Sequence, residues 1–124
     1  MAHNIQNFDY HAGDNKPLDF TVYDEDPANP GQPDLASPVD LTGATIRWAL
    51  SAFATDAAPL LTKTTALGIT ITDAAAGKFR VSLDKADTVA LNGKYYHEAE
   101  VLTAGAADDT VATGTVTVAP TVLD

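Results

Sequence analysis

Three histidines, His3, His11 and His97, are the side chains of this sequence best suited to moving a proton, because imidazole titrates nearest neutral pH. They lie far apart and show no spacing of the kind that gathers metal ligands. His97 sits in Tyr95-Tyr96-His97-Glu98-Ala99-Glu100-Val101, where alternation puts it on the inward face with Tyr95, Ala99 and Val101. A hydrogen-bonded, half-buried histidine is the plainer reading there than a catalytic base. Glu98 and Glu100 share the opposite face. Paired carboxylates can do acid–base chemistry, but two acids on an outward strand face are ordinarily just solvated. Asp24-Glu25-Asp26, with Asp34 and Asp40 further on, is the one stretch with a metal flavour, since calcium takes about six to eight oxygen ligands. It runs into Pro27 and lacks the regular D-x-D-x-D-G spacing, so Asp and Pro making a turn is the simpler account. The chain has no cysteine, which excludes a thiol nucleophile, a disulfide frame and a thiolate metal site. No Gly-x-Ser-x-Gly, P-loop or Gly-x-Gly-x-x-Gly motif occurs. The expectation is a protein that is no enzyme, with no catalytic residue, cofactor or metal ligand.

Any such side chains must be held by a framework, and composition says which kind. The 124 residues are the length of one domain and can bury about two-thirds of the unfolded surface, enough to fold without metal or disulfide. Seven basic against 17 acidic residues leave a net charge of −10, which repels phosphate backbones, so no nucleic-acid partner is expected. No apolar run approaches the roughly 18–20 residues that span a bilayer, and MAHNIQNFDY lacks a basic-then-apolar leader. No membrane partner is expected either.

Thr, Val, Ile, Tyr and Phe recur in short alternating runs punctuated by Gly and Pro, which is strand chemistry. Weak alternation covers Asn4–Tyr10, and clear alternation covers Leu18–Tyr23, Ala44–Ser51 and Lys78–Leu83. Leu60–Thr65 and Ile69–Thr72 read as short strands around a Leu67-Gly68 turn, with further strands over Tyr95–Thr103 and Thr110–Val118. Asp24 to Pro38 reads as a loop. The inward set gives a candidate core of Phe20, Val22, Ile46, Trp48, Phe79, Val81 and Tyr95. Asp84 to Leu91 is the one short helical turn, near 84–91, capped by Asp84 and ended by Asn92-Gly93. Seven to eight short strands with turns about every 8–12 residues predict an all-β, antiparallel, immunoglobulin-like β-sandwich. Trp48 would lie in its middle strand, and Tyr95 would send its hydroxyl back to nearby backbone. Phe20 or Val22 would pack on His97 or Ala99, where antibody domains carry a disulfide. The expected organisation is an N-terminal strand or arm over 1–12, the sandwich over 13–120 and a tail over 121–124. Ile5, Phe8 and Tyr10 in the first segment could add to a neighbour's sheet edge, or form an ordinary first strand.

One ordered series goes further. It runs Gly13-Asp14, Thr21-Val22-Tyr23-Asp24, Pro38-Val39-Asp40-Leu41-Thr42-Gly43-Ala44-Thr45-Ile46 and Leu61-Thr62-Lys63-Thr64. It continues through Gly68-Ile69-Thr70-Ile71-Thr72-Asp73, Ala76-Gly77-Lys78-Phe79-Arg80-Val81 and Gly93-Lys94-Tyr95-Tyr96-His97-Glu98. The series resembles the Ig-like domain at the N-terminus of phage baseplate upper proteins, and the small tailed-phage virion proteins related to it. The likeness covers roughly residues 13 to 118, with Val39-Asp40-Leu41-Thr42-Gly43-Ala44 its most distinctive part. It implies a structural protein made in the host cytoplasm and carried in the virion. Its partners would be other virion proteins, in a homo-oligomer or multicopy ring. Baseplate upper proteins continue into a helical linker and a trimerising part, whereas this sequence stops at Val122-Leu123-Asp124, so a small free-standing subunit is expected.

Three functions are compatible with these residues. One is a tail- or baseplate-associated subunit docked on a larger ring. Another is a capsid decoration or head-fibre-base protein. The last is a carbohydrate- or host-surface-binding module, with Tyr96 as its outward aromatic, Tyr23 as a further candidate, and Tyr10 or Phe8 assisting.

Overall fold

The computed structural model describes residues 2–53, 58–103 and 108–120, so the expected tail over 121–124 lies outside the described residues. Among the described residues there are eleven strands and one helical turn. The strands are β1 (Asn4–Ile5), β2 (Phe8–His11), β3 (Pro17–Thr21), β4 (Tyr23–Glu25), β5 (Pro33–Pro38) and β6 (Thr45–Ser51). They continue with β7 (Leu61–Thr65), β8 (Gly68–Asp73), β9 (Lys78–Ser82), β10 (Gly93–Leu102) and β11 (Asp108–Ala119), and α1 (Lys85–Thr88) stands between β9 and β10. All-β architecture is as expected. The antiparallel expectation is corrected, because β1 and β2 both pair with β11 in parallel, and β7 pairs with β8 in parallel.

Most strands join one long sheet in the order β1-β11-β10-β6-β7-β8-β9-β3, with β2 also on β11. A small β4–β5 hairpin lies apart, inside the stretch expected to be a loop. The long sheet curls until its ends face each other. Phe20 on β3, stacked at 4.9 Å on its register partner Phe79 of β9, thereby meets Phe8 of β2 edge-on at 5.5 Å between ring centres. The inward residues of the alternating runs fill the enclosed space. Ile46, Trp48, Phe79, Val81, Ala99 and Val101 are all at most 1% exposed, so one apolar core holds both faces together.

Two local devices mark the curled sheet. The first is at β7–β8, where a reversal around Leu67-Gly68 was expected and the chain instead keeps its direction. Ala66 (φ 69°) and Gly68 (φ 106°) step the backbone sideways, so β7 lies on β6 while β8 lies on β9. The β6–β7 ladder ends at Arg47–Thr64, and there the Thr65 hydroxyl takes over, accepting from the Ile46 amide at 2.7 Å and donating to the Ile46 carbonyl at 3.3 Å. The Ile46 amide and carbonyl thus keep partners where the strand departs.

The second device is the crossing between β1 and β2. Gln6 donates its amide to the Thr113 carbonyl at 2.9 Å, and the Asn7 carboxamide oxygen accepts from the Thr115 amide at 2.9 Å. Gly114 lies beneath this crossing, and a Cβ there would run into the Gln6 carbonyl. Only glycine permits so close an approach of two backbones.

Candidate functional site

The histidines end up in unlike places. His3 and His11 are exposed, whereas His97 is 3% exposed on β10, in register with Leu50 of β6 and Gly114 of β11. Its ring has hydrogen-bond partners on both nitrogens. The Trp48 indole N–H donates to Nδ1 at 3.2 Å, and Nε2 lies 2.7 Å from the Gln6 carbonyl. An indole N–H can only donate and a carbonyl can only accept, so the ring is neutral with its proton on Nε2. Phe8 and Phe20 close over it with ring centres at 5.5 and 5.8 Å. Burial lowers the His97 pKa below its ordinary value, against an opposing contribution from the Gln6 hydrogen bond. A ring so enclosed has no lone pair left to accept a substrate proton.

The two outward acids of β10 are occupied. Glu100 pairs with Arg47 of β6, and Glu98 accepts from the Thr110 hydroxyl of β11 at 3.0 Å. These two acids therefore brace neighbouring strands. The acidic segment likewise satisfies its own turns. Asp26 accepts from the Ala28 amide and the Asn29 side chain, Asp34 from the Ala36 amide, and Asp40 from the Thr42 amide and hydroxyl. The bonds from Asn29 and Ala28 lower the Asp26 pKa, and those from Thr42 lower that of Asp40. Among the described residues no group of three or more His, Cys, Asp or Glu is placed to hold a metal ion.

The candidate core lies where alternation put it: Phe20, Val22, Ile46, Trp48, Phe79 and Val81 are buried. Tyr95 is half-buried against the core, and its hydroxyl accepts from the Asn92 amide at 3.0 Å and lies 3.2 Å from the Asn92 carbonyl, closing the corner before β10. The N-terminal residues divide. Ile5 is 75% exposed, Phe8 packs on the core, and Tyr10 is 3% exposed with its hydroxyl against the backbone of Asp14 and Lys16. Burial raises the Tyr10 pKa. The expectation that Tyr10 or Phe8 could assist a surface glycan site is thereby overturned, because both rings face inward.

Sequence reading missed this second hydroxyl clamp. Its signal was present in the Phe8/Tyr10 alternation immediately before Gly13-Asp14. Gln6 was missed as well, and a polar residue in a segment of weak alternation carries no comparable mark.

A shallow groove of about 600 Å³ crosses the outer face of β6, β10 and β11. Ala49, Ser51 and Gly114 line it together with Tyr96, Ile5 and Phe53. Among the described residues no helix is long and apolar enough to cross a membrane. No known family and no curated protein matches this chain.

Proposed function

We propose that this chain is a non-enzymatic structural subunit of a tailed-phage virion, present in several copies and docked on a larger ring of the tail or baseplate. The observation that carries the reading is the strand pairing. One sheet curls so that Phe20 of β3, at one end, meets Phe8 of β2, near the other. Within it β7 and β8 run parallel, and β1 and β2 both lie parallel to the last strand, β11. With Trp48 central and Tyr95 closing a corner on Asn92, this arrangement favours an Ig-like sandwich, the fold that the resembling phage domains have. The commitment of both His97 nitrogens to the protein's own groups favours a scaffold over a catalyst.

Antibody raised against the purified chain, applied to separated heads and tails of the phage that encodes it, tests the proposal. Signal in the tail fraction is expected. Signal confined to heads would shift the assignment to a capsid decoration or head-fibre-base protein, and signal in neither would overturn both.

The outer groove favours a second reading as a host-surface glycan module, because the aromatic Tyr96 lines it together with the polar residues Ser51 and Thr115. On that reading Tyr96→Ala lowers phage adsorption at least about tenfold, the loss of a stacking contact of roughly 1.4 kcal/mol. Unchanged adsorption and a silent glycan array would remove it.

A further inference from the structure

We infer that His97 is an acid-sensitive latch on the N-terminal segment: a proton gained at Nδ1 sets two N–H donors against each other at Trp48 and favours a state in which residues 2–7 lift away from β11. The inference concerns this chain's own ring and strap, and it holds whatever particle carries the protein. Its basis is what encloses the ring. Phe8, Phe20 and Trp48 belong to strands packed into the core, while the remaining cover is the backbone of Gln6 where it crosses Gly114. Only that last cover can be withdrawn without opening the core.

The segment that supplies it is lightly held. β1 has two residues, and Ile5 leaves most of its side chain in water. The further anchors are the Gln6 amide on Thr113, the Asn7 bonds to Thr115, the His3 bond to the Thr113 hydroxyl, the Ala2 amide on Tyr23 and the buried but small Ala2 methyl, 2% exposed. With the strap closed, His97 is neutral and dry. With the strap lifted, it meets water and can carry charge. A state that binds a proton more readily gains population as pH falls, so acid favours the lifted strap.

The neighbouring elements supply no competing charge to the ring. Asp9 and His11 on β2 are exposed, Asp19 on β3 is engaged by Arg80, and Arg47 on β6 by Glu100. Glu98 and Lys94 on β10 itself point outward. The strap carries a second titratable ring, His3, but its single bond to the Thr113 hydroxyl survives protonation, because a charged imidazole still donates from Nε2.

Amide hydrogen exchange on the full chain, corrected for the intrinsic rate at each pH, tests the latch alongside the NMR titration of His97. Between about pH 7.5 and about pH 5, protection of the Gln6 and Ala2 amides should fall about tenfold or more, while that of the core amide Val101 holds. His97→Gln keeps a donor for the Gln6 carbonyl and cannot gain a proton, so its strap protection should not respond to pH. His3→Gln should respond as the native chain does. The inference is overturned if native strap protection is unchanged through the His97 titration midpoint, or if His97 stays neutral until the whole protein unfolds. It is equally overturned if His97→Gln shows the same fall, or if His3→Gln abolishes it. Should His97→Gln not fold, the native titration decides alone.

Discussion

Trp48 shows how one residue serves two ends. Its ring fills the core centre at 1% exposure, while its indole N–H supplies the donor for His97 Nδ1. Trp48→Phe would leave a smaller ring and an acceptor with no donor in a dry site. The expected destabilisation is about 3 kcal/mol, combining lost packing with an unsatisfied buried nitrogen. Urea unfolding should show a lower midpoint with an unchanged slope. A midpoint near the native one would mean that the Trp48–His97 bond contributes nothing net. The burial of both residues was legible in the sequence, because strict alternation through Thr45–Ser51 and Tyr95–Val101 assigns each a face. The third member of the chain, Gln6, was not. It lies 91 residues from His97 and acts through its backbone carbonyl, which every residue type possesses.

At the scale of elements, strands were legible and their directions were not. Alternation says which residues share a face, but it is silent on whether the next strand returns or continues. Leu67-Gly68 therefore looked like a reversal, although β7 and β8 run the same way. The β4–β5 hairpin stayed hidden because its strands are short and half-exposed, leaving no apolar face to read.

The helical turn was legible from its N-cap, Asp84, but it ends at Val89 and not at the expected Asn92-Gly93. Its side-chain anchor makes a prediction. Lys63 of β7 pairs with Asp87 of α1 at 2.9 Å, both side chains being largely buried, and Asp87 also accepts from the Asp84 amide. Burial resists ionisation of Asp87, yet the Lys63 and Asp84 hydrogen bonds and the Lys63 charge outweigh it and hold the pKa below the ordinary value. A carboxyl depressed in the folded state stabilises above its unfolded pKa, and that contribution fades as pH falls through the folded value. Asp87→Asn should therefore cost about 2 kcal/mol at neutral pH, with the gap to the native chain closing in strong acid. Thermal melts across a pH series check this, and a gap that stays constant with pH would exclude the ion pair as its source.

The whole molecule carries its acid unevenly. Asp9, Asp14, Asp19, Asp24, Glu25, Asp26, Asp34 and Asp40 precede residue 41, against Lys16 alone among Lys and Arg. Copies of a chain with net charge −10 should repel one another until salt screens them. The second virial coefficient from light scattering should be strongly positive near 10 mM salt and fall steeply by about 0.5 M. Indifference to salt would mean that charge does not govern how copies meet.

The parallel run of β2 and β11, Phe8–Val116 through His11–Ala119, has a mechanical consequence. Tension applied to the chain entering β2 and leaving β11 pulls these neighbours past each other along their length. Hydrogen bonds lying across that direction must share the load together, whereas a hairpin pulled open from its ends gives way one bond at a time. The chain, if tethered on both sides, would resist stretching where β2 lies on β11.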